Sequence, residues 1–211
     1  METVSLAFKQ IIYAPNQPIE HIYFPKSGII SLVNITEDGR TVEAATVGNE
    51  GMVGIPVLLG ADRMPGQAIS QIAGDAMRMK SDIFKRQVLP GSPLHNLLLR
   101  YTQALLNQIS QSVACNCLHS IEQRCCRWLL ITHDRVKSDQ FPLTQELLSQ
   151  MLGVRRASVS EVAATLQKAG FIRYSRGRIR ILDRRGLEET SCECYRIVKE
   201  EFDRLLGASQ R

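Results

Sequence analysis

The chain has 211 residues, 44% of them hydrophobic, and a net charge of +5. That is enough for one or two domains with a buried core and argues against wholesale disorder. No apolar run approaches the ~18 residues of a membrane span. The opening METVSLAFKQ has no basic stretch followed by an apolar one, so neither secretion nor a membrane partner is expected. Six cysteines are too few for a disulfide scaffold at this length and are expected to be reduced thiols of a cytoplasmic protein.

Residues 8–80 read as strands. Ile11–Tyr13, His21–Phe24, Ile29–Ile35, Thr41–Val47, Gln67–Ala73 and Ala76–Lys80 are short β-rich runs separated by turn signals. Asp38-Gly39 between two of them predicts a hairpin. Short strands at near-regular spacing predict an antiparallel barrel or jelly roll. Gly48, Gly51, Gly54 and Gly60 fall where the pattern breaks and imply tight turns.

The period changes over residues 92–137. Leu94, Leu97, Leu98, Tyr101, Leu105, Ile109 and Val113 recur at steps of three and four. Ser92-Pro93 reads as an N-cap followed by Pro at the first helical position. One long helix, or two in series breaking near Cys117–Ser120, is expected. A helix of about 25 residues exceeds what a small barrel needs for packing, so the stripe Leu94, Leu98, Tyr101, Leu105, Ile109 is a candidate dimer seam. An internal core helix is the other reading. Residues 138–143 are expected to be a linker.

From Leu143 the sequence reads LTQELLSQMLGVRRASVSEVAATLQKAGFIRYSRGRIRIL. Thr144 caps a first helix whose inner face is Leu147, Leu148, Met151 and Leu152, and Gly153 suits its end. A second helix runs from about Arg156 to Lys168, with Val159, Val162, Ala163 and Leu166 inward. The layout is a helix-turn-helix, whose second helix presents its N-terminal residues to the major groove. Arg155, Arg156, Ser158, Ser160 and Glu161 cluster there. Phe171–Leu182 alternates apolar residues with Arg173, Arg178 and Arg180 around Ser175-Arg176-Gly177, a basic hairpin suited to phosphate. Between Thr144 and Arg185 there are nine basic and three acidic residues, +6, whereas the rest of the chain carries −1. On its own this excess is a footprint for nucleic acid or a solvated basic face; with the helix-turn-helix and the basic hairpin in order it points to double-stranded DNA as the partner. A final amphipathic helix is expected over Leu187–Leu206.

On GNEGMVG at Gly48–Gly54 and LTQELLSQMLGVRRASVSEVAATLQKAG at Leu143–Gly170, the whole chain resembles the catabolite-activator/fumarate-nitrate regulator (Crp–Fnr) family of bacterial transcription factors. The resemblance implies an α+β chain in three parts. Residues 1–91 would form a cyclic-nucleotide-binding-type jelly roll, or β-roll, that senses an effector. Residues 92–137 would be the dimerisation helix and connector, and residues 138–211 a winged helix-turn-helix. It implies a homodimer on a near-palindromic operator, with RNA polymerase as a further partner. Base contacts would fall on Arg156, Ala157, Ser160 and Glu161, and phosphate contacts on Thr144 and Ser158. Ala157 stands where the well-known branches carry Glu and Glu161 where they carry Arg, so a different half-site is expected. The family usually has more residues ahead of its first strands, and some N-terminal structure is expected to be missing here.

The same resemblance places an effector pocket at Gly48, Glu50, Gly51, Arg63 and Gln67. Glu50 could take a ribose hydroxyl. The Arg-Ser/Thr pair that would clamp a cyclic phosphate is replaced by Pro65-Gly66-Gln67-Ala68. Without that charge-assisted fork, cAMP is not expected, and no cofactor is predicted. Cys115, Cys117, Cys125, Cys126, Cys192 and Cys194 lack the usual zinc spacing, and residues two apart on a helix point roughly 200° apart. No metal site is expected, and His119 and His133 are read as structural. A thiol- or redox-sensing regulator on the same scaffold is the alternative. A cupin enzyme would need clustered histidines on the strands, and the first 90 residues hold only His21, so no enzyme is expected.

Overall fold

The computed structural model describes residues 1–207. Seven strands build the N-terminal part. β1 (Glu2–Leu6), β7 (Gly74–Lys80) and β3 (His21–Pro25) form one sheet in the order β1-β7-β3. β2 (Ile11–Tyr13), β6 (Gln67–Ile72), β4 (Ile29–Ile35) and β5 (Thr41–Val47) form the other in the order β2-β6-β4-β5. All pairings are antiparallel. The Asp38-Gly39 turn joins β4 to β5 as expected, with Gly39 at φ 80°. β1 escapes sequence reading because its ETVSL run is mostly exposed and shows no apolar alternation. Two short helices, α1 (Ile55–Leu58) and α2 (Ser81–Gln87), complete the roll.

α3 spans Pro93–Leu118, with the Ser92 side chain accepting from the His95 N–H. It stops at His119, and α4 (Ile121–Val136) starts behind a Ser120–Gln123 capping box. The expected series of two helices is therefore what forms. Leu98, Tyr101 and Leu105 pack into the core of the β-roll, with Ile109 against its edge. α4 is buried along Arg124–Thr132 on all its faces. It lies between the outer side of the roll, at Ile29, Val33 and Ile72, and the DNA-binding part, and one continuous core joins the three.

The expected linker instead contains a strand, β8 (Gln140–Pro142), which pairs with the wing. α5 (Gln145–Leu152) ends at Gly153 in the left-handed conformation, φ 64°. α6 (Arg156–Lys168) follows, then β9 (Ile172–Ser175) and β10 (Arg178–Ile181). The expected C-terminal helix is two helices, α7 (Arg184–Thr190) and α8 (Cys194–Leu206). Ser191 is extended at ψ 159° and stops α7, with no Gly or Pro to announce the break. α8 packs along α3, where Phe202 meets Tyr101 edge-on with ring centroids 6.4 Å apart.

Candidate nucleic-acid interface and effector pocket

Leu147, Leu148, Met151 and Leu152 of α5 and Val159, Ala163 and Leu166 of α6 are buried as their periodicity requires, with Val162 half-buried. The Thr144 side chain caps α5 by accepting from the Leu147 N–H at 3.0 Å. Ser160 Oγ donates to Gln145 Oε1 at 2.8 Å and ties the two helices together. The wing is fixed too. The Tyr174 N–H donates to Gln167 Oε1 at 2.8 Å, and Tyr174 Oη donates to the Leu143 carbonyl at 2.9 Å. Its turn is Arg176-Gly177, both with positive φ (49° and 72°), the backbone of a two-residue primed turn. This scaffold leaves Arg155, Arg156, Ala157 and Glu161 exposed at the start of α6, with Ser158 and Ser160 half-buried between them. Arg173, Arg176 and Arg178 are exposed along the wing.

The effector residues divide. Glu50 and Gly51 line a cavity of about 870 Å³ between the roll, α3, α4 and α8. Arg63 and Gln67 are not in its wall. Arg63 is paired with its neighbour Asp62 at the surface, 3.0 Å apart, and Gln67 sits in β6 opposite Val33. The Gly48 N–H donates to Glu50 Oε1 at 3.0 Å. The Glu50 carboxylate is also engaged from far along the chain, by Arg135 of α4 at 2.8 Å, with the Arg135 side chain 10% and the Glu50 side chain 17% exposed. Arg135 Nη1 also donates to Thr46 Oγ1 at 2.7 Å. Sequence reading missed Arg135 because nothing local relates it to the Gly48–Gly54 turn.

The dimer stripe requires correction. Leu98, Tyr101 and Leu105 are buried inside their own chain, and Ile109 is partly buried. Only Leu94 stays exposed. Besides Leu94, α3 exposes Leu97, Leu99, Leu106, Val113 and Leu118, of which Leu99, Leu106 and Val113 stand seven residues apart. The period is as expected, but the roll and α8 cover the middle of the stripe, at Leu98, Tyr101, Leu105 and Ile109.

Where α4 meets β5, Trp128 Nε1 donates to Glu43 Oε1 at 2.9 Å and Ser31 Oγ donates to Glu43 Oε2 at 2.7 Å. Burial pushes the Glu43 carboxyl up to about 7, against the opposing pull of these hydrogen bonds and of Arg127 and Arg135. Arg124 donates to the Leu152 carbonyl at the end of α5, and Val42 of β5 packs against Gly153. The reader is thus docked on the roll.

The six cysteines are free thiols, as expected, and five of them are buried. Cys115 is buried and Cys117 exposed, as a helical C-x-C demands. Cys192 and Cys194 are not on one helix, because α8 begins only at Cys194. Both are buried and meet Cys115 and His119. Hydrogen bonding from Cys192 and, more weakly, the charge of Arg127 hold the Cys115 thiol below its ordinary range, against the effect of burial.

A β-roll joined by long helices to a basic winged helix-turn-helix is the architecture of a DNA-binding transcription regulator. Residues 3–89 match the cyclic nucleotide-binding domain and residues 123–190 the Crp-like helix-turn-helix domain. The chain belongs to the Crp–Fnr family of transcription regulators. Transcriptional regulator SdrP of Thermus thermophilus is 24% identical over 199 residues, covering 89% of this chain and 93% of that protein. Two solved structures share the fold. FixK2 from Bradyrhizobium japonicum has a TM-score of 0.77 at 16% identity, over 90% of this chain and 97% of that one. A CRP-family transcriptional regulator from Thermus thermophilus has a TM-score of 0.75 at 20% identity, over 89% of this chain and 96% of that one.

Proposed function

We propose that the protein acts as a homodimeric cytoplasmic regulator in which α6 reads a near-palindromic operator and the wing holds its backbone. The observation that carries this reading is the exposed cluster Arg155–Glu161 at the start of α6, beside the exposed wing arginines. Arg156, Ala157, Ser160 and Glu161 face base edges, and Arg156 suits a guanine. Thr144, Arg155, Ser158, Arg173, Arg176 and Arg178 hold phosphates. The dimer seam moves to Leu99, Leu106 and Val113, whose heptad spacing suits a partner helix. RNA polymerase is a partner where the regulator activates.

The effector is not cAMP on this reading. The phosphate clamp is absent from the sequence, and Glu50 is held by Arg135. A small molecule bound in the cavity between α3 and α8 would have to act through that pair. Thiol sensing is a second reading, favoured by the 3.5 Å separation of Cys115 Sγ and Cys192 Sγ. It requires alkylation or oxidation to change operator affinity.

Selection of bound duplexes from a random pool, followed by gel shifts, tests the main reading. Arg156→Ala should lose about 10- to 100-fold in affinity and relax preference at one base pair of each half-site, as expected for a bidentate base contact. Arg178→Ala should weaken all sequences alike and flatten the salt dependence. An Arg156→Ala variant with unchanged sequence preference refutes the assignment. Leu106→Glu should yield monomers in sedimentation, and a persisting dimer refutes the seam.

A further inference from the structure

The C-terminal turn of α3 and the N-terminal turn of α8 meet in a cluster that the DNA-binding reading does not use. Cys115 and His119 lie four residues apart, one helical turn, and so share a face. Cys192 lies in the break between α7 and α8, and Cys194 opens α8. The three Sγ atoms and a ring nitrogen of His119 all lie within 4.8 Å of one another. Cys115 Sγ is 3.5 Å from Cys192 Sγ, and Cys194 Sγ is 3.5 Å from His119 Nδ1. The three buried cysteines form a packed cluster of their own, apart from the two main cores. Thiols filling space among aliphatic side chains would belong to one of those cores.

The geometry points to a tetrahedral site for one thiophilic divalent ion of the zinc type, held by Cys115, His119, Cys192 and Cys194. Bonds of about 2.3 Å to sulfur and about 2.0 Å to imidazole nitrogen place neighbouring ligand atoms about 3.5–3.8 Å apart in a tetrahedron. The Cys115–Cys192 and Cys194–His119 contacts, each 3.5 Å, fall close to that spacing, and the remaining pairs lie within 4.8 Å. An iron–sulfur cluster interposes several atoms between its thiolates and needs them farther apart.

The surroundings support the assignment. His119 Nε2 lies 3.3 Å from the Glu193 carboxylate, which orients the ring and leaves Nδ1 for the ion, the usual carboxylate–histidine–metal arrangement. Gln111 Nε2 donates to Cys194 Sγ at 3.1 Å, a bond that favours a thiolate. Three thiolates, a neutral imidazole and a dication sum to −1. Two buried arginines of α4, Arg124 and Arg127, each have an Nε without a hydrogen-bond partner among the described residues. Their charge acts on Cys115. Buried cations of this kind need a compensating negative charge.

Four protein ligands leave no open position, so the site is of the structural class. Binding sends three thiol protons to solvent and leaves the histidine neutral. The ion would staple α8 to α3, and α8 walls the cavity that also contains Glu50.

The test uses the full chain purified under reducing conditions without chelator. Elemental analysis should find about one zinc per chain. After chelation, cobalt(II) titration should give the strong visible bands of a tetrahedral site and charge-transfer absorption from three thiolates. Cys115→Ser and Cys192→Ser should each weaken cobalt binding at least 100-fold, whereas Cys117→Ser and Cys125→Ser should not. Glu193→Gln should weaken it about 10-fold or more. X-ray absorption of the zinc-loaded parent reads three sulfurs and one nitrogen without any variant, should a serine variant fail to fold. The proposal is overturned by a reduced chain that binds neither zinc nor cobalt. Iron with inorganic sulfide, a Cys115–Cys192 disulfide in freshly isolated protein, or metal retained by Cys115→Ser would also overturn it. None of these measurements involves DNA, so the operator reading stands or falls separately.

Discussion

Glu43→Gln tests whether the reader is docked on the roll through a neutral carboxyl. Glu43 ionises near 7 in the fold, against 4.5 as its ordinary value. It therefore holds its proton more tightly when folded. Below pH 4.5 both states are protonated and the group leaves stability unaffected. As pH rises from 4.5 to 7, the unfolded chain ionises first and stability falls; above the folded value the loss is complete. At about 1.4 kcal/mol per pH unit, that loss is up to about 3.5 kcal/mol. A glutamine keeps an oxygen for Trp128 Nε1 and offers an N–H to Ser31, and it cannot ionise. The variant should match the parent near pH 4.5 and exceed it by about 3 kcal/mol at pH 8. Urea unfolding at the two pH values measures this. Trp128 is the only tryptophan and sits in the seam, so its fluorescence reports the docking directly. If the variant is less stable at pH 8, or the difference between the proteins is independent of pH, Glu43 is ionised and paired with Arg127 or Arg135, and the reasoning fails.

Other contacts make comparable predictions. Arg135→Ala strips Glu50 of its largely shielded partner and should cost up to about 3 kcal/mol in chemical denaturation; a neutral result would mean the pair is open to water. Leu166 is fully buried at the centre of the helix-turn-helix, so Leu166→Ala should cost about 2–5 kcal/mol and abolish operator binding at 37 °C. Gly153 has φ 64° and its Cα faces Val42 Cγ2, which an added Cβ would meet at 3.1 Å. Gly153→Ala should lower stability by about 1 kcal/mol, seen as a lower melting temperature by circular dichroism.

The helix-turn-helix was legible because its signals are local. A cap, an apolar face, a left-handed glycine and a second face follow one another within Leu143–Gly170, and the alternation of the wing adjoins them. The strands of the roll, the Asp38-Gly39 hairpin and the break between α3 and α4 were legible for the same reason. β1 was not, since its pairing with β7 supplies what its sequence lacks. Period told that α3 has an apolar face, but which face the roll and α8 would take depends on elements far along the chain. The Glu50–Arg135 pair joins positions 85 residues apart, and Cys115 meets Cys192 across 77. No spacing rule reaches that far. The break at Ser191–Glu193 turned a C-x-C expected on one helix into two sulfurs facing a common point. Local hydrogen bonding and side-chain period set the elements and the reader. The choice of buried faces and the meeting of distant polar groups came from packing, because only a completed core decides which surfaces lose water.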